Sequence, residues 1–183
     1  PKLIKYKYDY DIIIFMRKTQ ICIIGSDAPY ADEKSKKIAY ELGAEIAKKG
    51  YILITGGRGG VMEAASHGAK KNNGFVIGIV PSDSMSEANS YCDSVIATGI
   101  GKARNLINVI SADVIIAVNG GAGTLSEIAL AYIYNKNIIA IKPSGGAAKT
   151  YAGKYLDMRK RVLIHSVKNS KEAIKLAEKL INL

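Results

Sequence analysis

Short apolar runs alternate with segments of helical spacing along most of the chain. "QICIIG" (20–25), "YILIT" (51–55), "GFVIGIV" (74–80), "DSVIAT" (93–98), "DVIIAV" (113–118), "NIIAIK" (137–142) and "RVLIHS" (161–166) read as strands. Between them the period changes. A helix is expected over 33–49, where Ile38, Leu42 and Ile46 recur every four residues and Gly50 follows as a stop. "VMEAASHGAKKN", "GKARNLINVIS" and "IALAYIYN" read as further helices, and a last one from Ser170 carries Ile174, Ala177 and Ile181 on one face. The central strands are apolar throughout, as strands buried on both faces must be. The expected fold is therefore α/β and Rossmann-like: about seven strands in a mostly parallel sheet, with helices on both faces. "PSDSMSEANS" reads as a polar loop and "PSGGAAKTYAGKY" as a mobile glycine-rich one.

Glycine-rich turns follow four of the strands: "GSDAPY", "TGGRGG", "TGIGKAR" and "NGGAGT". In open parallel sheets ligands bind outside the carboxyl ends of the strands, where strand order reverses. Glycines let a ligand approach the backbone, and a helix start offers free N–H groups to a phosphate. "GGAGT" suits that role, with the Thr124 hydroxyl as a further donor. There is no G-x-x-x-x-G-K-[ST], which excludes a P-loop ATPase, and "GSDAPY" is not G-x-G-x-x-G, which disfavours ordinary dinucleotide binding.

Several of these residues have two readings. Thr124-x-x-Glu127 fits a capping box, which would explain both residues without chemistry. Arg104 falls in the first turn of its helix, against the macrodipole; it is either an anion clamp or a solvent-exposed side chain. Arg58 sits at the tip of its turn and could face ligand or solvent. Glu63 is well placed electrostatically in a first helical turn, Met62 suits a core, and His67 and His165 read as structural.

Composition narrows the choices. The chain has 183 residues, 48% hydrophobic and 23% charged, with a formal net charge of +10. One domain is expected over 19–183, with residues 1–18 an extension ahead of it and Met16 a candidate start. The basic surplus is mostly lysine scattered over helix faces, with no aromatic-basic stripe, so nucleic acid is disfavoured as a partner. Cys22 and Cys92 lie far apart, which suits a reduced cytoplasmic setting; no metal-ligand set and no cofactor are called for. "IIIFM" (12–16) is too short to span a bilayer, and no membrane association is expected. Abundant Lys, Ile and Tyr beside a single glutamine, Gln20, hint at a thermophile.

"TGGRGGVMEAASHGA", "TGIGKARNLINVISADVIIAV" and "NGGAGTLSEIALAY" together resemble the lysine-decarboxylase-like, or LONELY GUY, superfamily. The branch resembled is that of Rossmann-type proteins akin to molybdenum-cofactor carrier proteins, distantly related to DNA-processing protein A. LONELY GUY enzymes are phosphoribohydrolases that cleave the N-glycosidic bond of nucleoside 5′-monophosphates. Their P-G-G-x-G-T-x-x-E motif falls on residues 119–127, and the arginine of their M-H-E-R-K-like segment on Arg104. The resemblance implies catalytic roles for Arg104 and Glu127. It implies ligand contacts from Gly25, Ser26, Gly56, Gly57, Arg58, Gly60, Met62, Gly120, Gly121, Gly123 and Thr124. It further implies a phosphorylated small-molecule partner, either a nucleoside monophosphate or a pterin phosphate, and a homodimer or larger assembly. The chain departs from the enzymes at Asn119, where they have proline, and at Gly101, Lys102, Ala103 and Asn105. It also has Glu63 where their second turn ends G-L-M-G. Fold and nucleotide-like binding are therefore expected; turnover stands beside a second reading, a non-catalytic carrier or sensor.

Overall fold

The structure, a computed structural model, describes residues 3–5 and 14–181. A short antiparallel pair, β1 (Leu3–Lys5) and β2 (Ile14–Met16), precedes the main sheet. The remaining residues of the expected extension, 1–2 and 6–13, lie outside the described residues. Arg17 fixes the entry to the sheet: its guanidinium meets Asp113 at 2.5 and 2.8 Å, and the same carboxylate accepts from the Gln20 N–H at 3.0 Å.

Seven parallel strands form the sheet: β3 (Gln20–Gly25), β4 (Ile52–Thr55), β5 (Phe75–Val80), β6 (Ser94–Ala97), β7 (Val114–Val118), β8 (Asn137–Ile141) and β9 (Ile164–Val167). Their spatial order is β6-β5-β4-β3-β7-β8-β9, so the chain builds outward from β3 on one side and then crosses to β7 on the other. Strand order reverses between β3 and β7. The helices are α1 (Glu33–Lys48), α2 (Val61–Lys70), α3 (Arg104–Ile110), α4 (Ala122–Ile133), α5 (Gly146–Tyr151) and α6 (Ser170–Ile181).

Two apolar layers sandwich the sheet. Ile21 and Ile23 of β3 join the layer under α1, α2 and α6, while Cys22 and Ile24 join the layer under α3, α4 and α5. Successive side chains of one strand point to opposite faces, so covering both faces demands an apolar residue at every position. The central β7, "VIIAV", is buried along its whole length for that reason. On the first face α1 and α2 touch backbone to backbone: a Cβ at Gly43 would collide with the Ala65 carbonyl, and one at Gly68 with that of Tyr40.

Two expectations are corrected. The last strand starts at Ile164 rather than 161, because the Arg161 N–H turns aside to the Tyr132 hydroxyl at 3.0 Å. "PSGGAAKTYAGKY" is no mobile loop: it holds a 3-10 turn over Lys142–Ser144 and then α5. Gly145 and Gly146 at φ 90° and 53° supply the bend between them.

Candidate functional site

The turn after β7 is held from three sides. Asn119 sits at φ 56°, a left-handed conformation that asparagine tolerates and proline, fixed near −65°, cannot adopt. The departure from the proline of the resembled motif thus has a backbone cause. The Asn119 N–H donates to Ser144 Oγ at 2.7 Å. The Gly120 N–H donates to Asn119 Oδ1 at 2.8 Å and to Ser26 Oγ, from the β3 turn, at 3.0 Å. Two N–H groups of α5 complete the clamp, Ala147 to the Gly120 carbonyl at 2.7 Å and Ala148 to that of Asn119 at 3.1 Å. Backbone pairing of this kind is what orders the segment that composition alone marked as mobile.

α4 starts at Ala122, with Gly121 as its N-cap and no side chain capping it. The capping-box alternative for Thr124 and Glu127 does not form. Thr124 is already inside the helix, its side chain packed over Gly120, and Glu127 lies nearly a full turn further along. A glutamate beyond the first turn cannot reach back to the cap N–H. The start of α4 is therefore left open. At Gly121 and Gly123 an added Cβ would meet nothing within 4 Å, and neither residue has a positive φ. Packing within the protein gives no reason for glycine at these two positions.

Arg104 and Glu127 come together beneath that opening. Both are buried, at 7% and 6% exposure, so Arg104 is not the solvent-facing side chain of the alternative reading. A 3-10 turn over Gly101–Ala103 delivers Arg104 to the start of α3, and its guanidinium lies across Gly56. Any Cβ at Gly56 would come within 2.5 Å of Arg104 Nη1 and 2.6 Å of Met62 Sδ. Arg104 Nη1 stands 3.9 Å from Glu127 Oε1, and Asn108 Nδ2 donates to that same oxygen at 2.9 Å. Arg104 Nε and Asn108 Oδ1 are buried with no hydrogen-bond partner among the described residues. Orphaned polar atoms of this kind are uncommon in folded proteins, and a catalytic role or a bound group is among their causes. Burial pushes the Glu127 carboxyl up to about 7 against the opposing pull of Asn108 and Arg104, and burial also lowers Arg104. A buried charge pair held this loosely costs stability rather than adding to it.

The turns enclose a cleft of about 1220 Å³ at the point where strand order reverses. Gly25, Ser26, Gly56, Arg58, Met62 and Arg104 line one part of it; Gly120, Gly121, Gly123, Thr124 and Glu127 line another. Arg58 is also paired with Glu87, Nε to Oε1 at 3.2 Å. Two of the expected contacts are not in the wall. Gly57, at φ 74°, packs against Val80, and Gly60, at φ 71°, packs against the backbone of residues 26–28. Both shape the turn without facing the cleft. Glu63 is exposed on α2, and His67 stacks on Tyr91 with ring centres 4.4 Å apart.

Sequence reasoning missed Asp27, Tyr30, Lys102, Asn105 and Leu106 in the wall, and Asn108 behind Glu127. Asn108 carried a signal, since it stands four residues after Arg104 and so shares its helix face. Asn105 bonds Ser126 Oγ at 2.9 Å and ties α3 to the start of α4, a contact with no local signature.

Residues 18–176 match the SLOG cluster4 family. The chain belongs to that family. A relative from Archaeoglobus fulgidus is 47% identical over 128 residues, which make up 70% of this chain and 83% of that protein. A cytokinin riboside 5′-monophosphate phosphoribohydrolase from Mycobacterium tuberculosis is 30% identical over 118 residues, 60% of this chain and 63% of the enzyme. Among solved structures, the molybdenum cofactor binding protein of Rippkaea orientalis superposes with a TM-score of 0.82 at 38% identity, covering 91% of this chain and 99% of that one. The molybdenum cofactor carrier protein of Chlamydomonas reinhardtii superposes at 0.79 with 34% identity, covering 91% and 100%. The SLOG cluster4 chain is thus related both to phosphoribohydrolases and to cofactor carriers, as its three motifs implied. Among its described residues no helix is long and apolar enough to cross a membrane.

Proposed function

We propose that this SLOG cluster4 protein binds a phosphorylated small molecule, a nucleoside 5′-monophosphate or a pterin phosphate, in the cleft between the β3 and β7 turns. The phosphate rests on the open start of α4, where N–H groups and the positive end of the helix dipole favour an anion. The observation that carries this reading is the pair Gly121 and Gly123. Nothing in the protein's own packing requires glycine there, whereas a ligand resting on the backbone does. Arg104 supplies the neutralising cation. Two of the similar solved structures, at 38% and 34% identity, are named for binding or carrying a cofactor, which supports retention of the ligand as the main activity. Calorimetry with AMP against adenosine tests this. AMP binds and adenosine does not; equal affinities would remove the phosphate cradle.

A second reading, hydrolysis of the base–ribose bond, is favoured by one observation: a buried glutamate that titrates near neutral pH beside an arginine. In that reaction the C1′–N bond breaks, water supplies the oxygen at C1′, and the base leaves with a proton. Ionised Glu127 stabilises the positive charge on the sugar, and Arg104 holds the phosphate. Release of free base from a panel of nucleoside monophosphates, with wild type and Glu127→Gln, separates the readings. Binding without release supports the carrier; release lost in the variant supports the hydrolase.

The assembly is proposed to be a homodimer through the α3–α4 face, where Ile110, Ile133 and Tyr134 are exposed at 44%, 55% and 50%. Light scattering that finds only a 19.6 kDa species would count against it.

A further inference from the structure

Among the described residues the cleft wall holds one aromatic side chain, set amid glycines, hydroxyls, amides, charged groups, a thioether and aliphatic side chains. That residue is Tyr30, in the turn after β3. It is 77% exposed, and its hydroxyl makes no hydrogen bond among the described residues. No other tyrosine among the described residues is as exposed; the next is Tyr134, at 50%.

The turn that carries it is nonetheless firmly built. The Tyr30 and Ala31 N–H groups donate to the Asp27 carbonyl at 2.9 and 3.1 Å. Asp32 caps α1 immediately afterwards, its Oδ1 accepting from the Ser35 N–H at 2.7 Å. The Val61 N–H donates to the Ser26 carbonyl at 2.9 Å, and Gly60 lies so close to residues 26–28 that no Cβ would fit. A rigid backbone thus holds an unused aromatic ring at the edge of the cleft. The same turn contributes Ser26, which fixes Gly120 at the proposed phosphate site.

We infer that Tyr30 is the platform on which the ring system of the ligand stacks. The inference rests on the phosphate reading above and adds the contact that holds the ligand's heterocycle: a sugar phosphate without a heteroaromatic ring is a poorer occupant. A π-face recognises any flat heterocycle, purine or pterin, and leaves the choice between them to other contacts.

The test compares wild type, Tyr30→Ala and Tyr30→Phe by calorimetry with AMP, neopterin monophosphate and ribose 5-phosphate. Wild type binds the two ring compounds more tightly than ribose 5-phosphate. Tyr30→Ala weakens the ring compounds by about tenfold or more, the loss expected for one stacked base, and leaves ribose 5-phosphate unchanged. Tyr30→Phe keeps all three affinities, because the ring and not the hydroxyl is used. An equal loss for all three ligands in Tyr30→Ala, or no loss for any, overturns the stacking role while the phosphate cradle stands. Failure of wild type to bind any of the three overturns the cradle and the stacking role together.

Discussion

Glu127→Gln is the most informative single change. The wild-type carboxyl is 6% exposed, accepts from Asn108 at 2.9 Å, and has Arg104 at 3.9 Å. Its protonation midpoint in the folded chain is about 7, against 4.5 for an ordinary glutamate. Below 4.5 the group is neutral in both states and has no effect on stability. As pH rises from 4.5 the unfolded chain loses the proton first, while the folded chain keeps it until about 7. The folded state binds more protons across that window, so stability falls as pH rises. Each unit of displacement is worth about 1.4 kcal/mol, which gives a loss of roughly 3 kcal/mol by pH 8. Glutamine matches the neutral form in shape, keeps an acceptor for Asn108, and does not titrate. The variant therefore approaches wild type well below pH 4.5 and exceeds it by roughly 3 kcal/mol at pH 8, or about 6–12 °C in melting temperature for a chain of this size. Thermal melts of both proteins at half-unit steps from pH 4.5 to 8.5 read the difference directly, because other titrating groups cancel between them. A difference that stays flat across the range would refute the buried-carboxylate argument. A deficit in the variant that grows as pH rises would show that the charge pairing with Arg104 outweighs the burial.

Three further perturbations separate ligand space from scaffold. Gly123→Ala should melt at or above wild type, by roughly 0.5–1 kcal/mol of helix propensity, yet weaken AMP binding at least about tenfold, since its methyl enters only the cleft; scanning fluorimetry and calorimetry check the two halves. Gly60→Ala should do the reverse and lower the denaturant midpoint by an amount equivalent to roughly 2 kcal/mol or more, because Gly60 has φ 71° and abuts the backbone of residues 26–28. Arg104→Gln should reduce AMP affinity by about tenfold or more and flatten its salt dependence, as titrations at low and high salt would reveal.

The alternation of apolar runs with helical spacing was enough to specify a parallel sheet covered on both faces, because a strand such as "DVIIAV" has no polar position to offer water. The glycine turns, Arg104 and Glu127 were legible too, the arginine because its charge opposes the helix start it occupies. Their roles were not. The same Thr124-x-x-Glu127 spacing serves a capping box or an open helix start, and the choice turns on where α4 begins, which the clamp on Asn119 and Gly120 decides. That clamp joins Ser26 to Gly120 across 94 residues of sequence, and no local pattern encodes it. Likewise the four glycines at 57, 60, 121 and 123 look alike in sequence. Tertiary packing makes the first two part of the scaffold and leaves the last two facing open space. The burial that lifts Glu127 to about 7 also belongs to the tertiary structure: α3 and α4, on either side of β7 in the chain, close over one carboxylate, and its ionisation answers to the water they exclude.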